Sequence, residues 1–233
     1  MLRTAAVAAF VAATISMIGL APATSEESDP IATADRAIRS GDIAQGRRLL
    51  EESASGGNVE AQYQLGVFLV EHSSTDDDLP TAMRWFRQAA DRGHSDAQYR
   101  LAMGFYYGAP GVPSFPEALR WFRRAAESGH DEAAYNLGTM YEDGLGTERD
   151  LRVAVRWYTT AANNGITEAM HRLGTMLIVG RGHARDIVTG YMWNLIAGQS
   201  GDEEALDDAQ EVRRYLTASQ RNDAERQANE HRR

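Results

Sequence analysis

The side chains available for chemistry are 33 carboxylates, six histidines and 24 basic residues, every one of them arginine; cysteine and lysine are both absent. Without thiols there are no disulfides and no thiolate nucleophile or ligand. Without lysine there is no Schiff-base amine and no P-loop lysine. His94 and His130 stand 36 residues apart and suggest a zinc pair, but no second ligand pair has metal spacing. Equivalent positions hold Asn58 and Ile166, which reads all four as turn residues. Gly144-Leu-Gly146 and Gly180-Arg-Gly182 look like phosphate loops, yet no strand precedes them and no lysine follows. Gly-x-Ser-x-Gly is absent. Asp76-Asp77-Asp78 and Asp207-Asp208 lack the spacing of an EF-hand and read as solvated acids. No catalytic residue, metal ligand or cofactor site is therefore assigned.

Two patterns remain that suit binding. Arg48, Arg84, Arg120 and Arg156 form one column, with Arg87 and Arg123 a turn later. They suit either clamping an acidic partner or lying along apolar surface and pairing with the chain's own acids. The second pattern is a stripe of tyrosines, and a repeat is needed to place it.

A shift of 36 residues carries Ala61 onto Ala97, Ala133, Ala169 and Ala205, and Trp85 onto Trp121, Trp157 and Trp193, which are all the tryptophans. Such a period marks a repeat array rather than ordinary domains. Each unit opens with Ala-x-x-x-Leu-small (Leu65-Gly66, Leu101-Ala102, Leu137-Gly138, Leu173-Gly174), continued by Leu69, Phe105, Tyr141 and Leu177 on one helical stripe. The small residue lets a partner helix approach closely. Glu60, Asp96, Glu132, Glu168 and Glu204 stand just before this helix, where acids favour the dipole. A loop follows, and Asp78, Ser114, Asp150 and Asp186 are placed to cap a second helix. That helix carries Trp85-Phe86, Trp121-Phe122, Trp157-Tyr158 and Trp193-Asn194 between alanines, an expected core. Gly93, Gly129, Gly165 and Gly201 end it as C′ glycines. A degenerate unit precedes the first full one, from Ile31 to Gly57. After Ala205 come one more helix and a polar last helix opened by the capping box Thr217-x-x-Gln220.

The tyrosine stripe lies on the first helices, off the core positions: Tyr63, Val67 and Val70; Tyr99, Met103 and Tyr106; Tyr135, Thr139 and Glu142; His171, Thr175 and Ile178. Arg100 and Arg172 stand beside it. In helix-pair arrays the first helices line the concave side, and tyrosine and arginine are frequent binding hot spots. The alternative is that these tyrosines pack between units. The candidate partner-binding set is Tyr63, Tyr99, Arg100, Met103, Tyr106, Tyr135, His171 and Arg172.

These residues and spacings resemble the Sel-one-like repeat family, a relative of the tetratricopeptide repeat. The shared pattern is A-x-x-x-L-G-x-x-Y-x-x-G-x-G-x-x-x-D followed by A-x-x-W-F/Y-x-x-A-A-x-x-G, and the unit from Ala133 to Glu168 meets nearly all of it. The resemblance implies an all-α, right-handed α-solenoid of antiparallel helix pairs. It also implies an adaptor that binds a protein or peptide partner, in bacteria often within envelope assembly, polysaccharide export or signalling. Cysteine-rich relatives suggest an alternative, a hydrolase of cell-wall material or β-lactams, though their cysteines are missing here. A glycan-binding module using the tyrosines is a third reading.

At the N-terminus, Arg3 is the only charge before Glu26, Ala5 to Leu20 is uncharged, and Ala21-Pro22-Ala23 has the small-x-small form of a cleavage site. Residues 1–23 read as a signal peptide cleaved after Ala23 that sends the protein to a periplasm; a retained inner-membrane anchor is the alternative. The expected organisation is then 24–60 as lead-in and degenerate cap, 61–205 as four repeats, and 206–233 as C-terminal capping helices. A net charge of −9 argues against a nucleic-acid partner. Membrane association is expected only if the N-terminal segment is retained.

Overall fold

The computed structural model describes residues 29–72, 77–108 and 113–231. The expected signal peptide, the acid at Asp76, the loop residues Ala109 to Gly111 and the terminal Arg232 and Arg233 lie outside them. Among the described residues there are twelve helices and no strand: α1 Pro30–Arg39, α2 Ile43–Ser55, α3 Val59–Glu71, α4 Asp78–Asp91, α5 Ser95–Tyr107, α6 Phe115–Glu127, α7 Asp131–Asp143, α8 Leu151–Asn163, α9 Thr167–Val179, α10 Ile187–Gln199, α11 Glu203–Arg213 and α12 Ala218–His231. None of these helices is long and apolar enough to cross a membrane.

The chain divides into two compact units, residues 1–61 and 62–233. In the first, α1 and α2 form a helix pair. Asp29 caps α1 through the Ile31 amide, and Asp42 caps α2 through the Gln45 amide, each at 3.0 Å. Ala34, Leu50 and Ala54 supply its buried apolar surface.

The second unit is an all-α repeat solenoid in which each helix from α4 to α10 packs on the next. Its second helices end alike. The amides of Gly93, Gly129, Gly165 and Gly201 bond back into the last turn, at φ of 92°, 88°, 99° and 106°, the left-handed conformation that terminates a helix. The loops that open the next helices are also built alike. The amides of Ser114, Asp150 and Asp186 donate to the carbonyls of Phe105, Tyr141 and Leu177 at 2.8–2.9 Å. Arg149 and Arg185, again one period apart, donate to the carbonyls of Glu142 and Ile178 at 2.7 and 3.0 Å.

Those loops also join consecutive repeats. At Gly146 (φ 71°) a Cβ would lie 2.5 Å from the backbone of Phe115, and at Gly182 (φ 74°) 2.3 Å from the carbonyl of Leu151. The loop of each of these repeats thus rests on the start of the second helix one repeat earlier, so close that no side chain fits.

The core differs from the sequence expectation in its deepest column. Trp121 and Trp193 are buried, at 1% and 6% exposure, whereas Trp85 and Trp157 are half-buried. The next residue is buried in every repeat: Phe86, Phe122, Tyr158 and Asn194. The small residue after the conserved-register leucine makes room for this ring rather than for a neighbouring backbone. A Cβ on Gly66 would meet the Phe86 ring at 2.5 Å, and one on Gly138 the Tyr158 ring at 2.7 Å. In the fourth repeat Asn194 fills the ring's place with an amide whose nitrogen and oxygen both lack a partner.

Two capping expectations are also corrected. The acidic column lies inside the first turn of the first helices, not before it. The favourable dipole interaction is the same, since the first-turn amides point toward these carboxylates. In the column expected to cap the second helices, Asp150 and Asp186 do so. Ser114 sits at the cap without a side-chain bond, and Asp78 is already the first helical residue.

At the C-terminal end α10 packs against α11 and α12. Tyr191 is buried among Ala209, Val212, Leu216 and Ala224, and its hydroxyl donates to Glu225 on α12 at 3.1 Å. The capping box forms as read: the Thr217 amide donates to Gln220 Oε1 at 2.9 Å, and the Gln220 amide to Thr217 Oγ1 at 3.3 Å.

Candidate functional site

The tyrosine stripe is both packing and surface. Tyr63, Tyr99 and Tyr135 are half-buried. Tyr63 leans on Phe86 (centroids 6.1 Å apart), Tyr99 on Phe122 (5.9 Å) and Tyr135 on Tyr158 (5.8 Å). The other face of the first two rings carries a histidine of the following repeat: His94 stacks on Tyr63 at 4.5 Å and His130 on Tyr99 at 4.3 Å.

Those histidines are N-caps, a role the turn reading missed. Nδ1 of His94 accepts from the Ala97 amide at 3.3 Å, and Nδ1 of His130 from the Ala133 amide at 3.2 Å. Asn58 and Asp202 do the same at their positions, while Ile166 does not. An acceptor at Nδ1 carries no proton, so the ring proton of His130 sits on Nε2, 3.4 Å from Asp96 Oδ1. Glu132 Oε2 also lies 3.3 Å from Nδ1, but that nitrogen cannot donate to it while capping the helix. The signal was in the register: both histidines occupy the position where Asn58 and Asp202 stand.

Two cavities adjoin this ladder. One, of about 500 Å³, is lined by Tyr63, Asp96, Tyr99, Arg100, His130 and Glu132. Burial raises the Tyr99 pKa, with the Glu132 charge adding to it, so the phenol is a neutral donor at ordinary pH. The other, of about 200 Å³, is mainly apolar and includes Val67, Val70, Leu79, Met83, Phe86 and Met103, with Arg100 and Tyr107 at its margin. Val70 and Tyr107 are 45% and 70% exposed. Arg100 lines both cavities, and no carboxylate among the described residues forms an ion pair with it. Leu79 and Met83, on α4, and Tyr107, at the end of α5, were not singled out in the sequence, because all three lie off the stripe that helical spacing marked.

The structure therefore brings Tyr63, Tyr99, Arg100 and Met103 together. It puts the other four candidates to internal use. Tyr106 packs edge-on against Tyr107, Phe115 and Phe122. Tyr135 accompanies Arg172 beside Glu142 and Tyr158. Burial opposes the Arg172 charge, but Glu142 and the two tyrosines outweigh it and raise its pKa. Glu142 is itself 8% exposed, accepts from the Tyr158 hydroxyl at 2.9 Å and lies 3.4 Å from Arg181. His171 lies between two carboxylates of the C-terminal part, Nδ1 3.0 Å from Asp202 and Nε2 3.1 Å from Asp208. It ties α9 to α11. Among the described residues no group of three or more His, Asp and Glu gathers at metal-binding distance.

Within the arginine columns, Arg84, Arg120 and Arg123 pair locally, and Arg87 and Arg120 lie over aromatic rings. Arg84 donates to Thr81 at 2.9 Å and Arg120 to Glu117 at 2.8 Å, and Arg123 donates to the Tyr141 hydroxyl. Arg87, Arg120 and Arg124 lie over the Trp121 ring.

The Sel1 repeat family model matches residues 59–94, 95–130, 131–166 and 167–202 in unbroken succession. The chain belongs to the Sel1 repeat family. Each match begins at the first residue of a first helix, two residues ahead of the alanine register used above. Sel1 repeat proteins are generally protein-interaction scaffolds and typically non-catalytic. Among solved structures, the chain is similar to a Sel1 repeat protein from Oxalobacter formigenes, with a TM-score of 0.70 and 25% identity, over 75% of this chain and 72% of that one. It is also similar to c5321, a protective antigen of uropathogenic Escherichia coli strains with an SLR fold, with a TM-score of 0.55 and 27% identity. That match covers 87% of this chain and spans about half, 52%, of c5321. No curated protein matches the sequence.

Proposed function

We propose that this Sel1 repeat protein is an exported, non-catalytic scaffold that holds an extended segment of a partner protein across α3 and α5. The observation that carries the reading is Arg100, an arginine without an ion-pair partner among the described residues, standing between an apolar pocket and a tyrosine–histidine trough. A bound segment would seat an apolar side chain against Val67 and Met103 and set a carboxylate or main-chain carbonyl on the guanidinium. Neighbouring tyrosine edges would then supply contact area at low entropic cost. The spacing of residues 1–23 supports export to a periplasm with cleavage after Ala23.

The test places a photo-crosslinking residue at Met103 in the producing cell. A specific protein adduct that disappears with Arg100→Glu is the expected result. Equal labelling from Met103 and from Arg156, which lies outside both cavities, would sink the groove. N-terminal sequencing of the protein from its host tests export, since a mature chain starting at Thr24 is required.

A further inference from the structure

A third cavity, of about 510 Å³, opens between α4 and α5 and reaches the start of α6. It touches the apolar pocket only along Met83 and Gly104, which line both. Its polar lining is Arg84, Arg87, Gln88 and Ser114, and its apolar lining includes Met83 and Phe105. The Arg87 guanidinium is held between two rings, 5.5 Å from the Phe105 centroid and 5.2 Å from that of Trp121. Arg124 and Arg120 lie 4.7 and 5.7 Å from the same indole.

This neighbourhood is rich in donors and short of acceptors. Of these four arginines only Arg120 has a carboxylate among the described residues, Glu117 at 2.8 Å. The Trp121 indole N–H is buried with no acceptor at all, and the Ser114 hydroxyl makes no cap bond. Guanidiniums gathered around one ring repel each other, and an unmet buried donor costs free energy. In a chain with more carboxylates than arginines, acids were available for this wall. Of these donor groups Arg84, Arg87 and Ser114 line the cavity itself, where an oxyanion meets both arginines, and guanidinium forks match the oxygens of a phosphate.

We propose that this cavity binds a phosphate monoester or diester carrying an apolar substituent. Arg84 and Arg87 take the phosphate, with Ser114 and Gln88 in reach as further donors, and Met83 and Phe105 receive the substituent. The phosphate belongs either to a soluble ester or to a phospholipid headgroup, and the chemistry of recognition is the same for both.

The test uses the purified protein in two arms, phenyl phosphate by titration calorimetry and phosphatidylglycerol vesicles by co-sedimentation, with phosphatidylcholine vesicles as the blank. Binding in at least one arm is expected, with at least a tenfold loss in Arg87→Gln and in Arg84→Gln and partial recovery in Arg87→Lys. Arg156→Gln, in the same column two repeats on, should bind like the parent. Calorimetric binding assigns a soluble ester, and vesicle binding alone assigns a headgroup. Arg84 is exposed, so its variant keeps the fold even if Arg87→Gln does not. Absence of binding in both arms overturns the proposal, and so does undiminished binding by Arg84→Gln.

Discussion

The Tyr158 hydroxyl donates to Glu142 at 2.9 Å, joining a fully buried ring of one helix to a carboxylate nearly as buried on the helix before it. The same hydroxyl lies 3.1 Å from Thr139 Oγ1. Glu142 also faces Arg181 and Arg172 of the fourth repeat, so these two repeats use their groove-side polar groups on one another. The corresponding positions of the first two repeats hold Val70 and Tyr106, which leaves the open part of the stripe there.

Tyr158→Phe should lower stability by about 1–3 kcal/mol at neutral pH, the usual cost of removing a hydrogen bond to a buried charged group. Its pH dependence is the sharper check. Burial pushes the Tyr158 phenol well above its ordinary value of 10.0, so the unfolded chain releases this proton at lower pH than the folded one. The contribution is present in full below pH 10 and falls away as pH rises above it. Urea melts from pH 8 to 11.5 should show a smaller alkaline loss in the variant; parallel curves would refute the linkage.

Trp121→Ala should cost about 3–5 kcal/mol, as for other buried large aromatics. Trp85→Ala and Trp157→Ala should cost less, because those rings are only half-buried. Equal shifts in melting temperature for all three would contradict the burial order.

Asn194→Leu should stabilise the protein, by roughly 1–3 kcal/mol, since it removes two unpartnered polar atoms from a fully buried site. A lower melting temperature would mean that the amide has a partner there or that leucine does not fit against Gly174.

Gly182→Ala should destabilise by at least about 1–3 kcal/mol, because it adds strain at positive φ to a clash with the Leu151 carbonyl. Gly93→Ala is the contrast: it meets the same backbone strain, but a Cβ there has nothing within 4 Å. Chemical denaturation should rank Gly182→Ala as the worse of the two.

The helix pairs were legible because period, stripe and stop signals agreed: Leu137, Asp150 and Gly165 each sit where the sequence put them. The burial order was not. Each Trp is followed by a second residue that packs inward (Phe86, Phe122, Tyr158 or Asn194), and the room for it comes from a small residue on the other helix, as Gly66 gives Phe86 and Gly138 gives Tyr158. The capping histidines hid because histidine is an unusual cap, so its ring chemistry drew attention from its position. For the candidate site, helical spacing placed Tyr63, Tyr99, Arg100 and Met103 on one surface. Spacing alone did not show that Tyr106 turns into an aromatic cluster or that Asp202 and Asp208 reach back to His171. Those contacts are made by neighbouring helices.

The seating of Gly146 on Phe115 and of Gly182 on Leu151 gives the array a direction of growth. Each loop needs a predecessor, and none of these seats needs a successor. Duplicating a 36-residue segment would supply every new loop with a floor already shaped to receive it. Lengthening by copying is therefore easy for this scaffold, while excising an early repeat leaves the next loop to find another seat.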